Sequence, residues 1–102
     1  MKPDIYINVR FRTTSEWGRV SPLGHKKSRV ADFYACPMII DDKAYDCRLL
    51  IGDQKLIPGL HYKVPVVFVN RDLALPNLSV GKNITLWEGK EIADGQVTRI
   101  CD

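Results

Sequence analysis

Ile5-Tyr6-Ile7-Asn8-Val9-Arg10-Phe11-Arg12 alternates apolar and polar residues without a break. A period of two is what a strand with one buried face requires, because successive side chains leave a pleated backbone on opposite sides. The pattern sends Ile5, Ile7, Val9 and Phe11 inward. Tyr6, Asn8, Arg10 and Arg12 then share the wet face.

Downstream, the same kind of signal recurs in short pieces separated by turn formers. Residues 30–40 are β-branched and aromatic in bias, with Pro37 restricted to an edge or a bulge because it has no N–H for a ladder. Asp41-Asp42-Lys43 reads as a turn. A third strand runs from Tyr45 to Ile51, placing Tyr45, Cys47, Leu49 and Ile51 on one face and Asp46 and Arg48 on the other. Gly52-Asp53-Gln54-Lys55 and Pro58-Gly59 are turns, and the strand from Leu60 to Val69 is expected to be interrupted at Pro65. Residues 70–82 cross between strands. Asn83 to Trp87 and Ile92 to Cys101 form a last pair joined by Glu88-Gly89-Lys90-Glu91. No sustained 3.6-residue apolar stripe occurs, so about six short strands point to an all-β fold, a closed or nearly closed antiparallel barrel or a sandwich. Thr13 to Ser28 loses all periodicity and reads as a long loop, the kind of segment on which small barrels carry function.

The 102 residues are 45% hydrophobic and 26% charged, a composition that suits one compact domain over 1–102. No apolar run approaches the ~20 residues of a membrane span, and the first residues hold charges and a proline where a signal peptide is apolar. A soluble, cytoplasmic protein is expected, with no membrane partner. The net charge of +3 is unevenly spread: residues 1–30 carry seven Lys/Arg against two carboxylates, residues 31–102 eight against ten. Such a concentration attracts phosphate or an acidic surface, and a solvated loop gives the same count. Cys36, Cys47 and Cys101 are an odd number without metal-ligand spacing, which predicts reduced thiols, the first two as small buried hydrophobes.

Signatures of catalysis are sparse. No Gly-rich loop ends in Lys-Ser/Thr, so nucleotide binding is not expected, and no GxSxG elbow accompanies His25 or His61. His61 reads as a structural or surface residue and His25, beside Lys26 and Lys27, as a loop residue. Asp41 and Asp42 diverge as adjacent turn residues and make neither a shared-proton pair nor a calcium loop. Trp17, Phe33 and Tyr34 near the basic loop are able to stack on bases or to fill a core. No catalytic residue, metal or cofactor is assigned.

The stretch Val80 to Ile100, with Gly81 opening a strand, Glu88-Gly89 turning and Gly95 preceding the closing strand, resembles the end of the third domain of translation elongation factor Tu. Gly18-Arg19-Val20-Ser21-Pro22-Leu23 is similar to that family's Gly-Arg-x-Thr-Pro-Phe. Arg29 with Phe33-Tyr34 resembles its Arg-Pro-Gln-Phe-Tyr, without the Pro-Gln, and Pro58-Gly59 its Met-Pro-Gly turn. The resemblance spans about residues 4–100 and implies a six-stranded antiparallel Greek-key barrel. Gly89 is expected at the positive φ of a tight turn, and Gly95 at a bulge where the final strand bends. In the full factor this domain packs on a GTPase domain, touches the T-stem backbone of aminoacyl-tRNA and helps bind an exchange factor; the 102 residues contain no GTPase motif. The expectation is a free-standing, non-catalytic relative that binds a macromolecule through Trp17, Arg19, His25, Lys26, Lys27, Arg29, Phe33 and Tyr34. RNA of the translation machinery is the first partner expected. A partner protein, through factor-domain mimicry or an immunity-type pairing, is the second, and a small hydrolase using His25 or His61 a remote third.

Overall fold

The computed structural model describes residues 2–13 and 33–101. Six strands, β1 (Ile5–Phe11), β2 (Tyr34–Ile40), β3 (Lys43–Leu49), β4 (His61–Phe68), β5 (Asn83–Trp87) and β6 (Glu91–Ile100), form one closed barrel in the order β1-β4-β3-β2-β5-β6. Every neighbouring pair is antiparallel, including β6 back onto β1. Strands β2, β3 and β4 are consecutive and β1 lies beside β4, which is the Greek-key arrangement. Between barrel and sandwich, the sequence's two options, the chain takes the barrel.

The alternation of β1 decides what fills it. Ile5, Ile7 and Val9 are fully buried and Phe11 is 1% exposed. Met38, Ile40, Leu49, Val64, Val66 and Leu86 meet them with no exposed surface, each stabilising the fold by roughly 1.5–3 kcal/mol relative to exposure.

Closure corrects two expectations about proline. β2 is no edge strand, since β3 and β5 flank it; Pro37 sits opposite Asp46 of β3, and pairing with β5 begins one residue later, at Met38. Nor does Pro65 interrupt its strand, for β4 runs unbroken through it. Pro65 acts on the neighbour instead. Its carbonyl accepts the Leu50 N–H at 2.9 Å, but it has no N–H to return, and the β3–β4 register ends one pair earlier, at Leu49 and Val66. β3 therefore stops at Leu49, short of Ile51, which is buried beyond the strand end.

Gly89 has φ 73°, as a tight turn demands, with Glu88 N–H bonded to the Lys90 carbonyl at 2.8 Å. Gly95 is different. The bulges of β6 fall elsewhere: the β5 register skips Ile92, between Ala93 and Glu91, and the β1 register skips Thr98, between Val97 and Arg99. Gly95 stays in register opposite Val9 and Ile84, where a Cβ would stand 3.0 Å from Ile84 Cδ1 and 3.1 Å from the Asn8 carbonyl oxygen. The closing strand needs space at this residue, not backbone freedom.

Between β4 and β5 the chain makes a four-residue helix, α1 (Arg71–Ala74), and a 3-10 turn at Leu75–Asn77. Asp4 ties this crossover to the barrel. It is the buried polar residue of the described chain; its carboxylate accepts the Phe68 N–H at 2.9 Å and the Arg71 Nε–H at 2.9 Å. No described helix is long and apolar enough to cross a membrane. Cys36 and Cys47 face each other across β2 and β3, buried and unlinked, with the Cys47 thiol donating to the Cys36 carbonyl at 3.2 Å. Hydrogen bonding to Cys36, then burial, pushes the Cys47 thiol far above the ordinary cysteine range.

Candidate nucleic-acid interface

Of the residues that the sequence nominates for binding, Trp17, Arg19, His25, Lys26, Lys27 and Arg29 lie outside the described residues. Phe33 and Tyr34 are both half-buried, and they do different things. Tyr34 packs against the core and its hydroxyl donates a short hydrogen bond to the Glu88 carboxylate, so it serves the barrel. Phe33 carries the Arg48 guanidinium 4.9 Å from its ring centroid, a cation–π pair. His61 is exposed, with Nδ1 3.1 Å from the Asn8 amide oxygen.

A second basic and aromatic site, which the sequence reading did not single out, surrounds Tyr6. The period of β1 turns Tyr6 outward, and the registers of its two neighbours deliver the rest. On β4, Pro65 stands opposite Tyr6, and Lys63 lies two residues along on the same face, its Nζ 5.8 Å from the Tyr6 centroid. On β6, the bulge at Thr98 sets Arg99 opposite Tyr6, its guanidinium 5.7 Å from the centroid. Unbulged pairing would have put Thr98 there; the extra residue re-aims the arginine. Thr98 instead bonds the Tyr6 carbonyl through its hydroxyl at 3.2 Å.

Beside the ring, Lys2, Pro3, Arg99, Ile100 and Cys101 complete an open hollow of about 380 Å³. Pro3 and Ile100 give it apolar surface, and Lys2 and Arg99 positive charge. Lys2, Lys63 and Arg99 have no carboxylate partner among the described residues. Among the described residues the acidic group close by in sequence is Asp4, and it is held by Arg71, which also donates to the Cys101 carbonyl at 3.3 Å. The described residues therefore make this face positive, and Arg48 with Phe33 lies beyond it on the far side of β4.

The face around the β5–β6 hairpin contrasts with it. Arg12 makes a two-pronged contact with Asp94, at 2.8 and 3.1 Å, and approaches Glu91 at 3.5 Å. The hydrogen bonds that Arg12 donates to Asp94 raise its pKa above the ordinary value, against an opposing effect of burial. Lys82 Nζ is 2.7 Å from Asp41 Oδ1. An open cavity of about 470 Å³ between them is lined by Asp41, Asp42, Glu91 and Asp94. Phosphate is repelled there.

Sequence signals for the Tyr6 site exist only in part. The outward placement of Tyr6 is readable from the period of β1, whereas its meeting with Lys63 and Arg99, 57 and 93 residues away in the chain, depends on two strand registers and a bulge. No protein-family model matches the chain, and no curated protein matches it in sequence.

Proposed function

We propose that this protein is a binding module for RNA, a relative of the elongation factor Tu third domain that acts by docking and not by catalysis. The observation that carries the reading is the cluster of Lys2, Lys63 and Arg99 around Tyr6, two of them resting on one aromatic ring and none meeting a described carboxylate, whereas Arg12, Arg71 and Lys82 elsewhere on the barrel each do. Cations left without partners on one face supply phosphate contacts, which give affinity and register without reading sequence. The charge of residues 1–30 adds to the same sign. RNA of the translation machinery is the first ligand because the motifs around Gly81, Gly89 and Gly95 resemble the factor.

A partner protein is the second reading, favoured by Val69, Leu73 and Val80, each more than 60% exposed on the connection from β4 to β5. Salt separates the two. Affinity for RNA is expected to fall steeply between 50 and 200 mM salt and to drop when Lys26 and Lys27 are replaced by Glu. Affinity indifferent to salt and to both substitutions overturns the RNA reading, and a salt-tolerant protein complex lost on Leu73→Asp supports the second.

A further inference from the structure

We infer that Tyr6 is a stacking platform for an unpaired base, so that the ligand of this face is single-stranded RNA; the inference rests on the RNA reading above and narrows it. Lys63 and Arg99 alone would serve any polyanion, duplex or single-stranded. The surface between them is what discriminates. The Tyr6 ring borders a hollow of about 380 Å³ with Pro3 and Ile100 as apolar neighbours and Lys2 and Arg99 at its charged positions. That is the chemistry of one nucleotide: a flat apolar ring to lie against an aromatic face, and a phosphate to meet ammonium or guanidinium within one side-chain length. A duplex cannot use it, because its base faces are already stacked, while a single strand presents them. The cations at 5.7 and 5.8 Å from the ring centroid rest on the ring in the free protein and have no described carboxylate to leave when a phosphate draws them outward.

The ring has no described hydrogen bond through its hydroxyl, so its face is the part with work to do and Tyr6→Phe preserves it. Anisotropy of the full chain with a labelled oligouridylate of about ten nucleotides, and with a blunt RNA duplex of the same length, tests the assignment. The wild-type protein is expected to favour the single strand. Tyr6→Phe keeps that preference, and Tyr6→Leu weakens single-strand binding by about tenfold while leaving duplex binding unchanged. Should Tyr6→Leu fail to fold by circular dichroism, Tyr6→Trp takes its place and is expected to tighten the single strand alone. Equal, salt-sensitive binding of both RNAs that ignores either substitution overturns the stacking platform and leaves the broader RNA reading standing. Binding of neither RNA at low salt overturns both.

Discussion

Two faces of one barrel handle charge in opposite ways. Around the β5–β6 hairpin, Arg12 and Lys82 are neutralised by Asp94, Glu91 and Asp41, so these charges act on each other. Around Tyr6, Lys63 and Arg99 have an aromatic ring as their partner among the described residues, so their charge is available to something else. Exposed ion pairs contribute little to folding, roughly 0–1 kcal/mol each. The difference between the faces is therefore chiefly one of what each attracts from solution.

The sharpest way to break the comparison is to exchange signs on each face in turn. Lys63→Glu with Arg99→Glu is expected to lower RNA affinity about 100-fold at 0.1 M salt and to reduce the slope of log affinity against log salt by roughly 1.4, the loss of two single-strand phosphate contacts. Arg12→Glu is expected to leave affinity within a few-fold and to cost about 1 kcal/mol of stability, since it sets three carboxylates together. Salt titrations and urea melts of the two variants measure both quantities. Equal losses of affinity would mean that the faces are equivalent.

Asp4 marks the boundary between charges that hold the fold and charges that do not. It is 8% exposed, and its carboxylate satisfies the buried Phe68 N–H as well as Arg71. Asp4→Ala leaves that N–H without an acceptor, and is expected to cost about 2 kcal/mol, seen as a drop in Tm of roughly 10 °C. Arg71→Ala leaves the Phe68 bond in place and should cost less than half as much. The order of these two melts tests whether the amide or the ion pair anchors the crossover.

Gly95 links the faces, lying in β6 between Asp94 of the paired side and the strand end that carries Arg99. Gly95→Ala forces a methyl against the Asn8 carbonyl, which is backbone and cannot swing away, and against Ile84 Cδ1, which can. The expected cost is about 1–2 kcal/mol by thermal melt, with RNA binding preserved. Gly95→Ala combined with Ile84→Val should cost less than the sum of the two separately, because the shortened side chain makes room. Additive losses would place the strain at Asn8 alone.

What the sequence made legible was local, and what it hid was pairing. The inward set of β1, the limits of β5 and the turn at Gly89 each follow from a few adjacent residues, and all three stand in the barrel. Pro65 leaves its own strand intact, contrary to what its type suggests, because its missing N–H is felt by β3 and not by β4. The role of Gly95 is not legible from its letter, since a glycine needed for space and one needed for φ read alike. The Tyr6 site needed the skip at Thr98, and nothing in Val97-Thr98-Arg99 announces a bulge. The basic loop from Trp17 to Arg29, by contrast, was plain in composition and lies outside the described residues.

The smallest effect expected concerns the paired face itself. The β2–β3 hairpin turns on Asp41 and Asp42, with φ of 50° and 67°, and Ile40 opposite Lys43 closes a two-residue loop of the mirror-image type that favours glycine at its second position. Asp41 has a reason to be there, its contact with Lys82. Asp42 has no described partner, so it bears the cost of a left-handed conformation and adds a negative charge beside Asp41. Asp42→Gly is expected to stabilise the protein by about 0.5–1 kcal/mol, as relief of the left-handed strain outweighs the entropy that glycine adds to the unfolded chain. Asp41→Gly relieves a similar strain but releases Lys82, and its net effect should be near zero. A Lys82 freed in this way adds a cation without a partner to the paired face; if RNA affinity then rises on Asp41→Gly and not on Asp42→Gly, pairing is what keeps that face from binding phosphate.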